Sequence, residues 1–96
     1  MVVGILSLEL SIPMANSLKD KRMVLNRIKD RVRQKFNVSI AETEANDVWN
    51  FSGLGVAIVS NDQKFANQVL SQVVNLVETV HDCSLDDMRM EFLHVD

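Results

Sequence analysis

From Val2 to Ile12 the side chains Leu6, Leu8, Leu10 and Ile12 alternate with Ser7, Glu9 and Ser11. A two-residue period of this kind predicts a strand with one buried face. Pro13 closes it, because proline supplies no amide donor and restricts the residue before it. Ser17 then offers an N-cap oxygen, with Asp20 three positions on in the manner of a capping box. Leu18, Leu25, Ile28, Val32 and Phe36 recur on one side at 3.6 residues per turn, predicting a helix from about residue 18 to 35.

Asn37 is a helix terminator, and the β-branched run from Val38 to Ala45 predicts a second strand. Val38 and Ile40 share parity with Glu42 and Glu44, so either the buried pattern ends early or a bulge shifts it. After a connection holding Asp47, Trp49, Asn50 and Phe51, the run from Gly53 to Ser60 reads as an interior strand whose glycines permit close packing. Ser60 or Asn61 is placed to cap a second helix, with Asp62 near its positive end and Phe65, Val69, Val73, Leu76, Val77 and Val80 as its apolar stripe. A polar turn over His81 to Asp87 leads to a fourth strand, in which Met88, Met90 and Phe92 alternate with Arg89, Glu91 and Leu93.

The order βαββαβ most often folds as an α+β sandwich: a four-stranded antiparallel sheet with both helices on one face, the ferredoxin-like arrangement. At 96 residues and 47% hydrophobic content, residues 1–96 are expected to form one such domain. Cys83 is the sole cysteine and has no intramolecular disulfide partner. That suits a reducing compartment and assigns the thiol to apolar packing. The apolar start lacks a cationic leader and a cleavage site, and no apolar run approaches the roughly 20 residues of a membrane span. A soluble, cytoplasmic protein with no membrane partner is expected.

Charge alters this plain picture. Eight of the ten Lys and Arg residues lie between Lys19 and Lys35, opposed there only by Asp20 and Asp30, so the segment carries +6; with a total of −3, the rest of the chain carries −9. Lys19, Lys21 and Arg22 sit in the first helical turn, where each exposed cation costs about 0.3–1 kcal/mol against the macrodipole. Arg27 with Arg31, Arg31 with Lys35 and Lys29 with Arg33 are like-charge pairs four apart, each costing about 0.2–0.5 kcal/mol. Local costs of this kind are expected where charge is held for a partner. Lys19, Lys21, Arg22, Lys29 and Arg33 are therefore candidates for phosphate contacts with a nucleic acid. Neutralisation by glutamates of the neighbouring strand is the competing reading.

The sheet's open face offers Ile5, Ser7, Glu9, Ala57, Val59, Arg89 and Glu91, with no aromatic platform for stacking bases. Ile5, Ala57, Val59 and Leu93 on that face instead suggest self-association as a homodimer. Trp49 either folds back over a core edge, the commoner fate of a loop tryptophan, or anchors a partner. For catalysis the chain is poor. His81, Asp82, Cys83 and His94 match no zinc spacing, and the connection from Pro13 to Ser17 is neither a P-loop nor a dinucleotide fingerprint. A small anion at Ser17, Lys19 and Arg22 is a weaker reading. No catalytic residue, metal or cofactor is expected.

The segments Ser17-Leu18-Lys19-Asp20-Lys21-Arg22, Phe36-Asn37-Val38-Ser39-Ile40-Ala41-Glu42, Asp47-Val48-Trp49 and Val59-Ser60-Asn61-Asp62 resemble the YlxP-like family of small bacterial proteins, a likeness running nearly the length of the chain. The resemblance implies a ferredoxin-like domain of poorly defined activity. It also implies genes that commonly sit near those for translation initiation and ribosome maturation, which makes RNA or a ribosomal subunit the expected partner of the basic helix, and it supplies no catalytic residues.

Overall fold

The computed structural model describes residues 1–45 and 47–96. Its elements follow the expected order: β1 (Val2–Ser11), α1 (Leu18–Lys35), β2 (Ser39–Glu44), β3 (Phe51–Ser60), α2 (Gln63–Glu78) and β4 (Ser84–His94). The strands form one antiparallel sheet in the order β2-β3-β1-β4. β1 lies at the centre because its alternation is the most regular: Leu6, Leu8 and Leu10 are buried beneath the helices. They pack with Leu54, Val56 and Ile58 of β3, Leu25, Ile28 and Val32 of α1, and Leu70, Val73 and Val77 of α2 in one core.

α1 begins as its sequence predicts. Ser17 Oγ accepts from the Asp20 amide at 3.1 Å, while the Asp20 carboxylate accepts from the Asn16 amide at 3.0 Å, one residue upstream of the usual reciprocal bond. It ends at Lys35 as expected, with Phe36 rather than Asn37 as the capping residue: Phe36 leaves the helix in extended conformation and donates its amide to the Val32 carbonyl. α2 is capped by Asp62, whose side chain accepts from the Lys64 amide, and not by Ser60 or Asn61. Its buried face is Ala66, Leu70, Val73 and Val77, and Phe65 is 53% exposed instead of joining the stripe. Ala66 stands four residues before Leu70 and seven before Val73 and so shares their face, whereas Phe65, five before Leu70, is turned away from it.

The ambiguity in β2 resolves as a bulge. The register against β3 shifts between Glu42 and Glu44, so Ile40 and Glu42 stay on the helix side while Thr43 and Glu44 lie over the open face. Gly53 and Gly55 make room for them: a Cβ on Gly55 would stand 2.8 Å from Thr43 Cγ2, and one on Gly53 would overlap the Glu44 side chain. β3 starts at Phe51, two residues before the apolar run. β4 starts at Ser84, so the expected turn over His81 to Asp87 ends early. Ser84 and Leu85 pair with Ser11 and Leu10 across a second bulge, and Ser11 Oγ bonds the Asp86 carboxylate. Cross-strand partners override the polar character of this stretch.

Candidate nucleic-acid interface

Lys21 is not on the surface. It is 1% exposed, the largest fully buried side chain, and its removal from the phosphate-contacting set is the main correction to the expected site. Its position explains why: Leu18, Lys21, Leu25, Ile28 and Val32 are spaced three, four, three and four apart, so Lys21 lies on the inward stripe of α1. The ammonium finds three acceptors for its three N–H bonds. These are the carbonyls of Ala45 (2.5 Å) and Val48 (2.6 Å) and the Glu42 carboxylate (3.1 Å).

The same Glu42 oxygen accepts from Ser52 Oγ at 2.9 Å, the other buried polar side chain. Among the described residues no buried side-chain donor or acceptor is left unpaired. Burying an ammonium costs several kcal/mol unless its donors are all satisfied, and here they are. The knot also fixes the β2–β3 connection. Ala45 adopts a φ of +62°, in the left-handed region disfavoured for a residue with a Cβ. Its carbonyl accepts both from Lys21 and, at 3.1 Å, from the Val48 amide.

The connection so held presents Trp49 outward at 51% exposure, beside a 42% exposed Val48. Half of the Trp49 surface is thus exposed and half buried, and Phe51 belongs to β3. The exposed half is accessible to a partner.

The remaining candidates come together. Lys19, Arg22, Lys29 and Arg33, with Asn26 between, repeat the three-four spacing one residue out of phase with the buried stripe, forming a single ridge about 21 Å long. Arg33 fixes its direction by donating to the Ile40 carbonyl at 3.1 Å, so the ridge runs along the β2 edge. The other cations, Arg27, Arg31 and Lys35, occupy the opposite flank. There Arg27 pairs with Asp82, and Lys35 lies 5.9 Å from the Phe36 ring. Among the described residues only Lys21 and Arg27 have a carboxylate within ion-pair distance. The competing reading of internal neutralisation thus holds for these two and not for the ridge.

Acidic groups gather elsewhere. On the open face Glu9, Glu44 and Asp87 line a groove with Ser7, Thr43 and Arg89. No group of three or more His, Cys, Asp or Glu among the described residues is arranged to hold a metal ion. Burial, and secondarily the charge of Asp82, push the Cys83 thiol above its ordinary value of 9.0, and its sulfur faces the Val77 and Val80 carbonyls. Both effects keep it protonated and unreactive. No described helix is long and apolar enough to cross a membrane.

The strand order and the placement of both helices on one face define the ferredoxin-like class. Within it the chain belongs to the family described as a protein of unknown function (DUF503), whose model matches residues 3–90. It is 35% identical over 91 residues to the uncharacterized protein YlxP of Bacillus subtilis (strain 168), covering 95% of this chain and 99% of that one. Solved structures repeat the fold at low identity. The de novo designed protein Foldit4 is 11% identical at TM-score 0.59, with both chains fully covered. A designed protein with ferredoxin fold, LFR1 1, is 12% identical at TM-score 0.56, over 97% of this chain and 84% of that one. A C-terminal segment of the alpha subunit of aIF2 from Pyrococcus abyssi is 18% identical at TM-score 0.56, over 88% of this chain and 49% of that one.

Proposed function

We propose that the protein is a non-enzymatic, cytoplasmic accessory of translation or ribosome maturation that docks on structured RNA or an RNA-rich ribosomal surface through α1. The observation that carries this reading is the ridge of Lys19, Arg22, Lys29 and Arg33, four cations in one line with no carboxylate of the chain paired to them among the described residues. Phosphates are the complementary surface for such a row. The acidic groove on the far side of the sheet supports one orientation, since Glu9, Glu44 and Asp87 repel a polyanion while the ridge attracts it. The register places one aromatic on the open face, the partly exposed Phe51 opposite Ser11, and a single ring at the end of β3 is no stacking platform, so recognition rests on shape and backbone.

Self-association through the open face is the second reading. Val3 pairs in register with both Val59 and Leu93, and Ile5 with Ala57, which gathers an apolar patch containing the 67% exposed Val59. Glu91, paired with Ile5, and the neighbouring Arg89 interrupt it, so the RNA reading is favoured.

Co-sedimentation with ribosomal subunits at low and high salt tests the proposal. Four phosphate contacts give an affinity that falls with salt at a log-log slope of about −3 to −4. Neutralising Lys29 and Arg33 together should flatten that slope by about 2. Failure to co-sediment at low salt, or binding indifferent to salt, rejects it.

A further inference from the structure

We propose that two copies of this chain join through the outer edge of β4, forming one continuous eight-stranded sheet about a two-fold axis at Met90. β4 is a terminal strand of the sheet, paired only with β1. It is 11 residues long, contains no proline or lysine, and beyond a bulge at Asp86 runs in unbroken register from Asp87 to His94, whereas the opposite edge, β2, has 6 residues and is bulged within them. Short or bulged edges are protected against pairing, and long regular ones are not. At this edge the Met88 amide donates to the carboxylate of its own neighbour Asp87 at 2.9 Å, a local stand-in for a missing strand. By the two-residue period, the Met90 and Phe92 amides point the same way.

The side chains select the second copy as the occupant. In an antiparallel pairing centred on Met90, Arg89 of each chain stands opposite Glu91 of the other, and Met88 opposite Phe92. Opposite charges and apolar groups facing one another directly are the stabilising pairs of a sheet. Shifting the centre by one residue sets like against like: Arg89 meets Arg89 and Asp87 meets Glu91 when the axis passes Arg89, and Glu91 meets Glu91 when it passes that residue. A slip of half that size turns the helix side of one sheet toward the open face of the other. With the axis at Met88, Arg89 meets Asp87, but Met90 then faces Asp86 and Glu91 faces Leu85, so of these registers the one centred on Met90 matches both the charges and the apolar groups.

Burial points the same way. Met88, Met90 and Phe92 pack against the core yet are only half-buried, because the sheet stops beside them. A second copy covers them with its own Phe92, Met90 and Met88. This association leaves the ridge of α1 free, since the ridge follows the β2 edge three strands away.

Sedimentation velocity of the full chain at micromolar concentration, with circular dichroism to verify folding, tests the proposal. The wild type should sediment as a dimer. Arg89→Glu and Glu91→Arg should each raise the dimer dissociation constant roughly tenfold by turning two attractive pairs into repulsive ones. Mixed in equal amounts, the two single variants should recover wild-type association as a heterodimer, because one chain then offers only acidic and the other only basic partners. A monomeric wild type overturns the proposal. So does a dimer that both substitutions leave intact, or a mixture of folded variants that fails to reassociate.

Discussion

Lys19 and Lys21 stand two residues apart on α1, yet one meets solvent and the other meets Glu42, Ala45 and Val48 in the interior. Two residues of an α-helix turn the side chain through about 200°, so neighbours in sequence are opposites in space. A cluster of cations along a helix is therefore two populations. The inward one ties α1 to the β2–β3 connection, and the outward one, Arg27 apart, has no carboxylate within ion-pair distance among the described residues. Net charge over the segment merges them, whereas helical phase separates them.

The inward population should show the largest effect. Lys21→Ala removes the partner of a partly buried carboxylate and the ammonium donor of the Val48 carbonyl, while the Ala45 carbonyl keeps the Val48 amide; breaking a pair whose cation is fully buried costs about 3–5 kcal/mol. The urea midpoint should fall in proportion with an unchanged slope, since the same surface is exposed on unfolding. The emission of Trp49, carried by the connection that Lys21 holds, should shift at denaturant concentrations below the main transition. A loss under about 1 kcal/mol would mean that the ammonium is not a structural post.

Glu42→Gln should cost less, about 1–3 kcal/mol, because the amide still accepts from Ser52 and only the charge facing Lys21 is lost. Combined with Lys21→Ala it should be non-additive by about 0.5–3 kcal/mol, as expected of groups in one network. Strict additivity in this double-mutant cycle would separate Lys21 from Glu42 and leave the loop carbonyls as its only real partners.

These residues also show what the chain reveals before folding. The strands, the helices and the shared stripe of Leu18, Leu25, Ile28 and Val32 follow from periodicity alone, and so did the place of Lys21, midway in that stripe. Its chemistry obscured it, because a lysine at an apolar position reads as surface unless acceptors are known to await it. Those acceptors lie on Glu42, Ala45 and Val48, more than 20 residues onward. The left-handed Ala45 was illegible for the same reason: alanine has no preference for that region, and contacts from α1 hold it there. The β4 start was hidden because Ser84 and Asp86 look like turn residues until Ser11 and Leu10 are placed beside them. Local propensity carries the elements, while the site depends on pairings between them.

The smallest effect is the most discriminating, because its sign reverses. Lys19 lies in the first turn of α1, next to Asp20 and the amides that Ser17 and Asp20 cap. A cation there opposes the macrodipole, so Lys19→Glu should raise stability by about 0.5–1 kcal/mol, while Lys21→Ala two positions away lowers it severalfold more. Thermal melts at low ionic strength should resolve the gain as a rise of roughly 2–8 °C for a domain of this size, and added salt should shrink it. The same substitution should weaken association with ribosomal subunits, so stability and binding move in opposite directions. That divergence is the signature of a charge kept for a partner against the preference of its own helix. Were Lys19→Glu to destabilise the fold, the outward cations would have to be structural like Lys21, and the division of α1 into two populations would fail.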